Sequence, residues 1–199
     1  AGEPFRLLVI GGSQGAVSQN NAILASAPLL AEHSVALVHQ TGAKDLKRMR
    51  EGYSEAGFSP ARLEPFISDM AKSYAEAHLV VSRAGAMSVA EITATGRPAI
   101  YVPLPIAGGH QSKNAAAAVK AGAARMVEQG DGGYEDYFAP RLAAEILELV
   151  KNPAKLAEMS RSAYALISQT SEPSTQHIAT SAQCIAKGVL EVACRNRKC

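Results

Sequence analysis

The chain has no tryptophan, and aromatic residues of every kind make up only 5% of its 199 residues. That leaves few rings on which nucleic-acid bases could stack. Excess charge is lacking too. Twenty basic residues against 18 acidic ones give a formal net charge of +2, far from the field of a nucleic-acid binder, so no nucleic-acid partner is expected. Cysteine is scarce, and Cys184, Cys194 and Cys199 crowd the C-terminus without CxxC spacing. Their odd number completes no disulfide framework, and reduced thiols in a cytosolic protein are the expectation. No apolar run approaches the roughly 18 residues of a membrane-spanning helix, and no signal-peptide pattern opens the chain. Metal chemistry lacks its ligands: His33, His78 and His177 have no partners at metal spacing, and H-E-x-x-H and paired-cysteine elements are wanting. A G-x-S-x-G nucleophile elbow is wanting as well. Neither a metal nor another cofactor is therefore expected.

What is present is an ordinary globular composition, 47% hydrophobic, in a chain long enough to bury a proper core. It opens at Ala1 rather than Met and reaches an apolar run at once, which leads us to expect a domain cut from something longer. Short apolar runs bounded by glycine or proline predict strands at Phe5–Ile10, Ser34–His39, Arg62–Ile67, Leu79–Ser82, Pro98–Val102 and Ala124–Glu128. Between them lie helix-compatible stretches: about Ala16–Ala31, Lys44–Ala56, Met70–Ala77 capped by Asp69, Met87–Thr95 closed by Gly96, and Gln111–Ala121 closed by Gly122. From Tyr134 the pattern is helical only, with Ala139–Lys151, Ala154–Ile167 and Thr175–Val192 as candidates. Lys187, Arg195, Arg197 and Lys198 give a basic tail, read as a solvated terminus. The expected class is α/β: a doubly wound, Rossmann-like parallel six-stranded sheet in residues 1–165, with a helical C-terminal tail over 166–199.

Ligands of such sheets sit beyond the carboxyl ends of the strands. Three polar segments fall there. Gly11-Gly-Ser-Gln-Gly-Ala16 follows the first strand and opens a helix, so backbone N–H groups of Gly12 and Gly15, and the Ser13 hydroxyl, can meet a phosphate. A dinucleotide reading fails, because the spacing is not G-x-G-x-x-G and His39-Gln40 stands where a ribose-binding acid would end strand two. In Arg83-Ala-Gly-Ala-Met-Ser-Val-Ala-Glu91, Gly85 and Ala86 can approach a diphosphate. Ser88 and Glu91 share one helical face, where a carboxylate suits a ribose diol. Ser-x-x-Glu is also a capping box, a purely structural alternative. Gly108-Gly-His-Gln-Ser-Lys-Asn114 offers the amides of Gln111 and Asn114 to sugar hydroxyls, and His110 as a titrating group; amide caps on a glycine-rich loop are the alternative. Near Glu64-Pro-Phe-Ile-Ser-Asp69, the Ile67 backbone can pair with a base edge over Phe66, although periodicity alone makes both core residues. His39-Gln-Thr-Gly42 reads as a structural turn.

Taken together, Gly11–Ala16, His39–Gly42, Pro65-Phe-Ile-Ser-Asp-Met70, Arg83–Glu91 and His110–Asn114 resemble the C-terminal half of the MurG family, bacterial glycosyltransferases of the GT-B fold. The five motifs come in that family's order and spacing from about Phe5 to Met159, and the last forty residues match only loosely. The resemblance implies inverting transfer of GlcNAc from UDP-GlcNAc to lipid I, giving lipid II in peptidoglycan synthesis, and hence a part in cell-wall biogenesis, cell shape and division. It implies that the Ile67 backbone meets the uracil with Met87 close by, that Glu91 holds the ribose, that Ser13 and Ser88 hold the diphosphate, and that Gln111 and Asn114 hold the GlcNAc. His110 stands where some members have Gln, and Arg83 lines the site. No catalytic residue is expected in this chain, because the family's general base and its lipid I cleft belong to an N-terminal half that this sequence lacks. The same resemblance places the full-length protein peripherally on the cytoplasmic face of the bacterial inner membrane. The residues alone leave two alternatives: one subunit of a two-chain GlcNAc transferase, or a non-catalytic nucleotide-sugar binding module.

Overall fold

The computed structural model describes residues 3–12, 15–105, 109–129 and 134–169. Strands β1 (Phe5–Ile10), β2 (Val35–Gln40), β3 (Arg62–Glu64), β4 (Leu79–Ser82), β5 (Ala99–Tyr101) and β6 (Ala124–Met126) form one sheet in the order β3-β2-β1-β4-β5-β6. Every pairing is parallel, with β1 held between β2 (Leu7 opposite Leu37) and β4 (Leu7 opposite Leu79). The winding reverses between β1 and β4, and that switch point opens a crevice above their carboxyl ends.

Eight helices surround the sheet among the described residues: α1 (Val17–Ala25), α2 (Ala27–Glu32), α3 (Leu46–Glu55), α4 (Met70–Glu76), α5 (Ala86–Ala94), α6 (His110–Lys120), α7 (Tyr134–Val150) and α8 (Pro153–Gln169). The single helix expected over Ala16–Ala31 is two. Ser26 turns its hydroxyl back onto the Ala22 carbonyl at 2.7 Å, and Pro28, lacking an N–H, sits in the first turn of α2 where none is needed. The third strand stops at Glu64 instead of reaching Ile67, because Pro65 cannot donate to a ladder. Asp69 caps α4 as expected, accepting from the Lys72 N–H at 2.9 Å. Helix α7 begins five residues ahead of the expected Ala139 and carries Pro140 inside it. The expected Thr175–Val192 helix, the basic tail and the three cysteines lie outside the described residues.

Alternate strand residues point to opposite faces, and they divide the interior in two. Leu7, Val9, Leu37, Val81 and Ile100 meet side chains of α1, α2, α3 and α7, among them Ile23, Leu30, Met49, Phe138 and Leu142. Leu8, Ile10, Val80, Ala99 and Tyr101 meet α4, α5 and α6. Alanine supplies eight of the fifteen buried members of this second cluster and only two of the twenty-one in the first. Helices on the second face therefore approach the sheet over small side chains. Helix α8 reaches both clusters, with Met159 in one and Ala163 in the other.

Candidate functional site

A cleft of about 640 Å³ opens at the switch point. Its walls are the loop after β1, the loop after β4 and the exit of β5, and Gly11, Gly12, Gly15, Ser82, Arg83, Gly85, Ser88, Leu104 and Gln111 line it. The first wall needs glycine. Gly12 and Gly15 have φ of 77° and 76°, and a β-carbon on Gly15 would stand 2.6 Å from the Thr41 carbonyl oxygen. Beyond this turn α1 begins at Val17 without a side-chain cap, as does α5 after Gly85 and α6 after Gly109, whose φ is 58°. Three helix starts thus leave backbone N–H groups uncapped beside one crevice, which suits an anion. Ser13, Gly108 and the rest of the 106–108 segment lie outside the described residues.

Ser88 is the third residue of α5 and Glu91 the sixth, with Gly85 as the N-cap. A capping box needs its serine at the N-cap, so this pair is not a capping box. Ser88 faces the cleft. Glu91, one turn on and half-buried, accepts from the Tyr74 hydroxyl at 3.2 Å. Burial, reinforced by the Glu91 charge, raises the Tyr74 pKa, so that phenol remains a donor.

The amides hold the walls together. Gln111 Oε1 accepts from the Leu104 N–H at 3.0 Å and the Ala84 N–H at 3.2 Å, while Asn114 Nδ2 donates to the Ala84 carbonyl at 3.0 Å. These bonds leave the Gln111 NH₂ as a donor and the Asn114 oxygen as an acceptor. Arg83 is a strap across the cleft floor. One guanidinium nitrogen donates to the Val102 and Pro103 carbonyls at 3.1 and 3.3 Å, and the other donates to Ser18 Oγ, which also accepts from Gln129 Nε2.

The third loop differs from expectation. Ile67 is fully buried, and its N–H donates to Gln40 Oε1 at 3.1 Å, so that donor is already used. Phe66, which periodicity alone would bury and the donor reading sets beneath the base, is 59% exposed because β3 ends before it. Met87 is also exposed, Ala86 is exposed at the start of α5, and His110 is exposed at the start of α6. Phe66, Ile67, Ala86, Met87, Glu91, His110 and Asn114 do not line the cleft itself.

Below the glycine loop, His39 and Gln40 at the end of β2 and Thr41 and Gly42 after it are all buried. His39 lies between Tyr53 and Asn20. Its pKa is lowered to about 3, chiefly by burial, with the Asp45 charge pulling the other way.

Ser18 and Asn21 also line the cleft, and neither stood out in the sequence. The signal was available: a helix starting at Val17 puts these two residues, three apart, on one face beside its N-terminus. The Asn21 Oδ1 is buried without a hydrogen-bond partner among the described residues.

A model of the glycosyltransferase family 28 C-terminal domain matches residues 6–178. The chain is 45% identical over 168 residues to the UDP-N-acetylglucosamine--N-acetylmuramyl-(pentapeptide) pyrophosphoryl-undecaprenol N-acetylglucosamine transferase of Citrifermentans bemidjiense, covering 83% of this chain and 45% of that protein. The enzyme of the same description from Nitratidesulfovibrio vulgaris strain Miyazaki F is 46% identical over 164 residues, covering 81% and 43% respectively. The chain thus spans a little under half the length of these curated relatives. Among solved structures, Acinetobacter baumannii MurG superposes with a TM-score of 0.72 at 33% identity, covering 91% of this chain and 52% of that one. A UDP-GlcNAc 2-epimerase from Neisseria meningitidis, TM-score 0.55 at 13% identity over 94% of this chain and 44% of its own, shares the fold alone.

Proposed function

We propose that this chain, which belongs to the glycosyltransferase family 28 C-terminal domains, is the UDP-GlcNAc-binding half of the inverting glycosyltransferase that converts lipid I to lipid II. The observation that carries the reading is the meeting of three uncapped helix starts at one glycine-walled cleft. The diphosphate lies against the N–H groups of Gly12, Gly15, Gly85 and Ala86 and the hydroxyls of Ser13 and Ser88. Glu91, held by Tyr74, accepts from the ribose diol. The base rests by Phe66 and Met87 near Ile67. Gln111 donates to the GlcNAc and Asn114 accepts from it, with His110 at the rim and Arg83 bracing the floor.

In this arrangement the chain binds and orients the donor. As the glycosidic bond breaks, negative charge grows on the leaving UDP, and fixed N–H dipoles stabilise it without having to reorganise. The proton leaving the acceptor hydroxyl goes to a base outside this chain. Lipid I is then met by the remainder of a longer protein, peripheral on the cytoplasmic face of the inner membrane. The boundary expected at residue 165 falls inside α8, whose Leu166 packs on the second cluster, so the donor-binding unit runs at least to Gln169.

Calorimetric titration with UDP-GlcNAc, with UDP-GalNAc as competitor, tests this. Saturable binding that prefers UDP-GlcNAc is expected. Glu91→Ala should weaken it by roughly ten- to a hundredfold, the loss of hydrogen bonds to a charged acceptor. A folded chain that ignores UDP-GlcNAc, or binds it equally well without Glu91, would overturn the reading.

A further inference from the structure

Beneath the glycine loop runs a chain of hydrogen bonds whose own side chains do not line the cleft. His39 is fully buried, with Nδ1 2.8 Å from the Tyr53 hydroxyl and Nε2 3.0 Å from Asn20 Oδ1. Asn20, also fully buried, spends its NH₂ on Asp45 Oδ2 at 2.6 Å and on the Thr41 carbonyl at 3.0 Å. Its Oδ1 can therefore only accept. That fixes the tautomer: His39 carries its proton on Nε2 and accepts from Tyr53 at Nδ1. Arg48 closes the series, donating to both Asp45 oxygens at 2.6 and 2.8 Å. Each member sets the direction of the next.

The series ends on the loop that walls the donor cleft. The Thr41 carbonyl that accepts from Asn20 is the atom against which Gly15 rests, too close for a β-carbon there. The Asn20 backbone N–H meanwhile donates to the Ala16 carbonyl at 2.8 Å. The Asn20 side chain thus fixes the Thr41 side of the glycine loop, while its backbone N–H makes the first bond of α1 to the Ala16 carbonyl on the other side. Buried polar groups of this kind are often no more stabilising than a well-packed apolar core. What the polar series adds is direction, because it aims one carbonyl.

We propose that His39, Asn20 and Asp45 are positioning residues that set the seat of the glycine loop and the α1 N-terminus at the donor diphosphate, a role that rests on the donor-site reading above. They act through Thr41 and touch no ligand.

Two substitutions of one residue separate positioning from mere support. His39→Gln keeps an NH₂ where Nε2 stood, facing Asn20. His39→Asn keeps an acceptor toward Tyr53 and loses the donor to Asn20. Both shrink the same buried side chain. With both variants folded by circular dichroism, UDP-GlcNAc affinity should fall about tenfold or more in His39→Asn and stay within about threefold of the parent in His39→Gln. Equal affinities in the two variants, whether both retained or both reduced, would overturn the proposal. Two NMR readouts stand apart from donor binding. Long-range ¹H–¹⁵N spectra should show the Nε2–H tautomer of His39, and the Gly12 and Gly15 amide resonances should move in His39→Asn and hold in His39→Gln. An Nδ1–H tautomer, or glycine shifts alike in both variants, would refute the positioning role. A parent chain that fails to bind UDP-GlcNAc while the amide shifts follow the expected pattern would instead refute the donor reading alone.

Discussion

At the scale of single residues, His39 couples folding to acidity. In the folded chain it protonates only near pH 3, whereas an unfolded histidine takes its proton near 6.5. Between those values the unfolded chain binds a proton that the folded chain refuses. The stabilisation is complete above about pH 6.5 and falls as pH drops, by about 1.4 kcal/mol per pH unit. Asp45 acts in the same direction at lower pH. Its hydrogen bonds from Arg48 hold its carboxyl below the usual range, so its contribution is lost once pH falls through that lowered pKa. His78, lowered by burial and by its Arg6 and Arg97 neighbours, adds a smaller slope of the same sign. Urea midpoints measured from pH 7 to 4.5 should therefore fall more steeply in the parent than in His39→Gln. Parallel curves would mean that His39 is not the group refusing the proton. None of this was legible in the sequence. His39, on β2, and Asn20, on α1, lie nineteen residues apart, and only the folded packing of α1 over the sheet brings them together. The Ser88–Glu91 spacing, by contrast, was legible as a functional pair or a cap, and a helix start at Ala86 decided between them.

At the scale of elements, α5 is held at both ends. Its N-terminus faces the cleft, and its C-terminal turn is fastened to α8 by Ser160 Oγ on the Gly96 carbonyl at 2.7 Å and by the Tyr164 hydroxyl on the Thr95 carbonyl. Gly96 has a φ of 67°, and a β-carbon there would overlap the Cζ edge of the Tyr164 ring. Gly96→Ala thus meets a backbone penalty and a clash together, and should cost more than about 2 kcal/mol in chemical denaturation. Adding Tyr164→Ala should recover part of that loss, and strictly additive effects would show that ring and β-carbon do not collide. Element identities followed from the sequence wherever chemistry punctuated the chain: Gly11 after β1, Asp69 before α4, Gly96 and Gly122 after their helices. Boundaries slipped where the deciding bond was a side chain on its own backbone, as at Ser26, or where one proline outweighed an apolar run, as at Pro65. Pro28 was the cue that the α1–α2 stretch is not one helix.

At the scale of the whole molecule, the proposed ligand joins parts that the fold keeps separate. It would touch the loops after β1, β3, β4 and β5 and the starts of three helices. UDP-GlcNAc at a hundred times its Kd should add about 2.7 kcal/mol to global stability. For a domain of this size that is a rise of roughly 5–10 °C in Tm. Glu91→Ala at the same ligand concentration should show a clearly smaller rise, and an equal one would place the ligand elsewhere.

The division of the interior has a further consequence, for how the sequence can drift. On the face covered by α4, α5 and α6, alanines set the distance between helix and sheet, so there is no room for added methylenes and enlargement is the harmful change. On the face covered by α1, α2, α3 and α7, large side chains fill the space, and truncation is the harmful change because it leaves a hollow. A single sheet thus separates two populations of positions with opposite intolerances. Descendants of this chain should vary toward smaller residues on one side and larger ones on the other only at the cost of their fold.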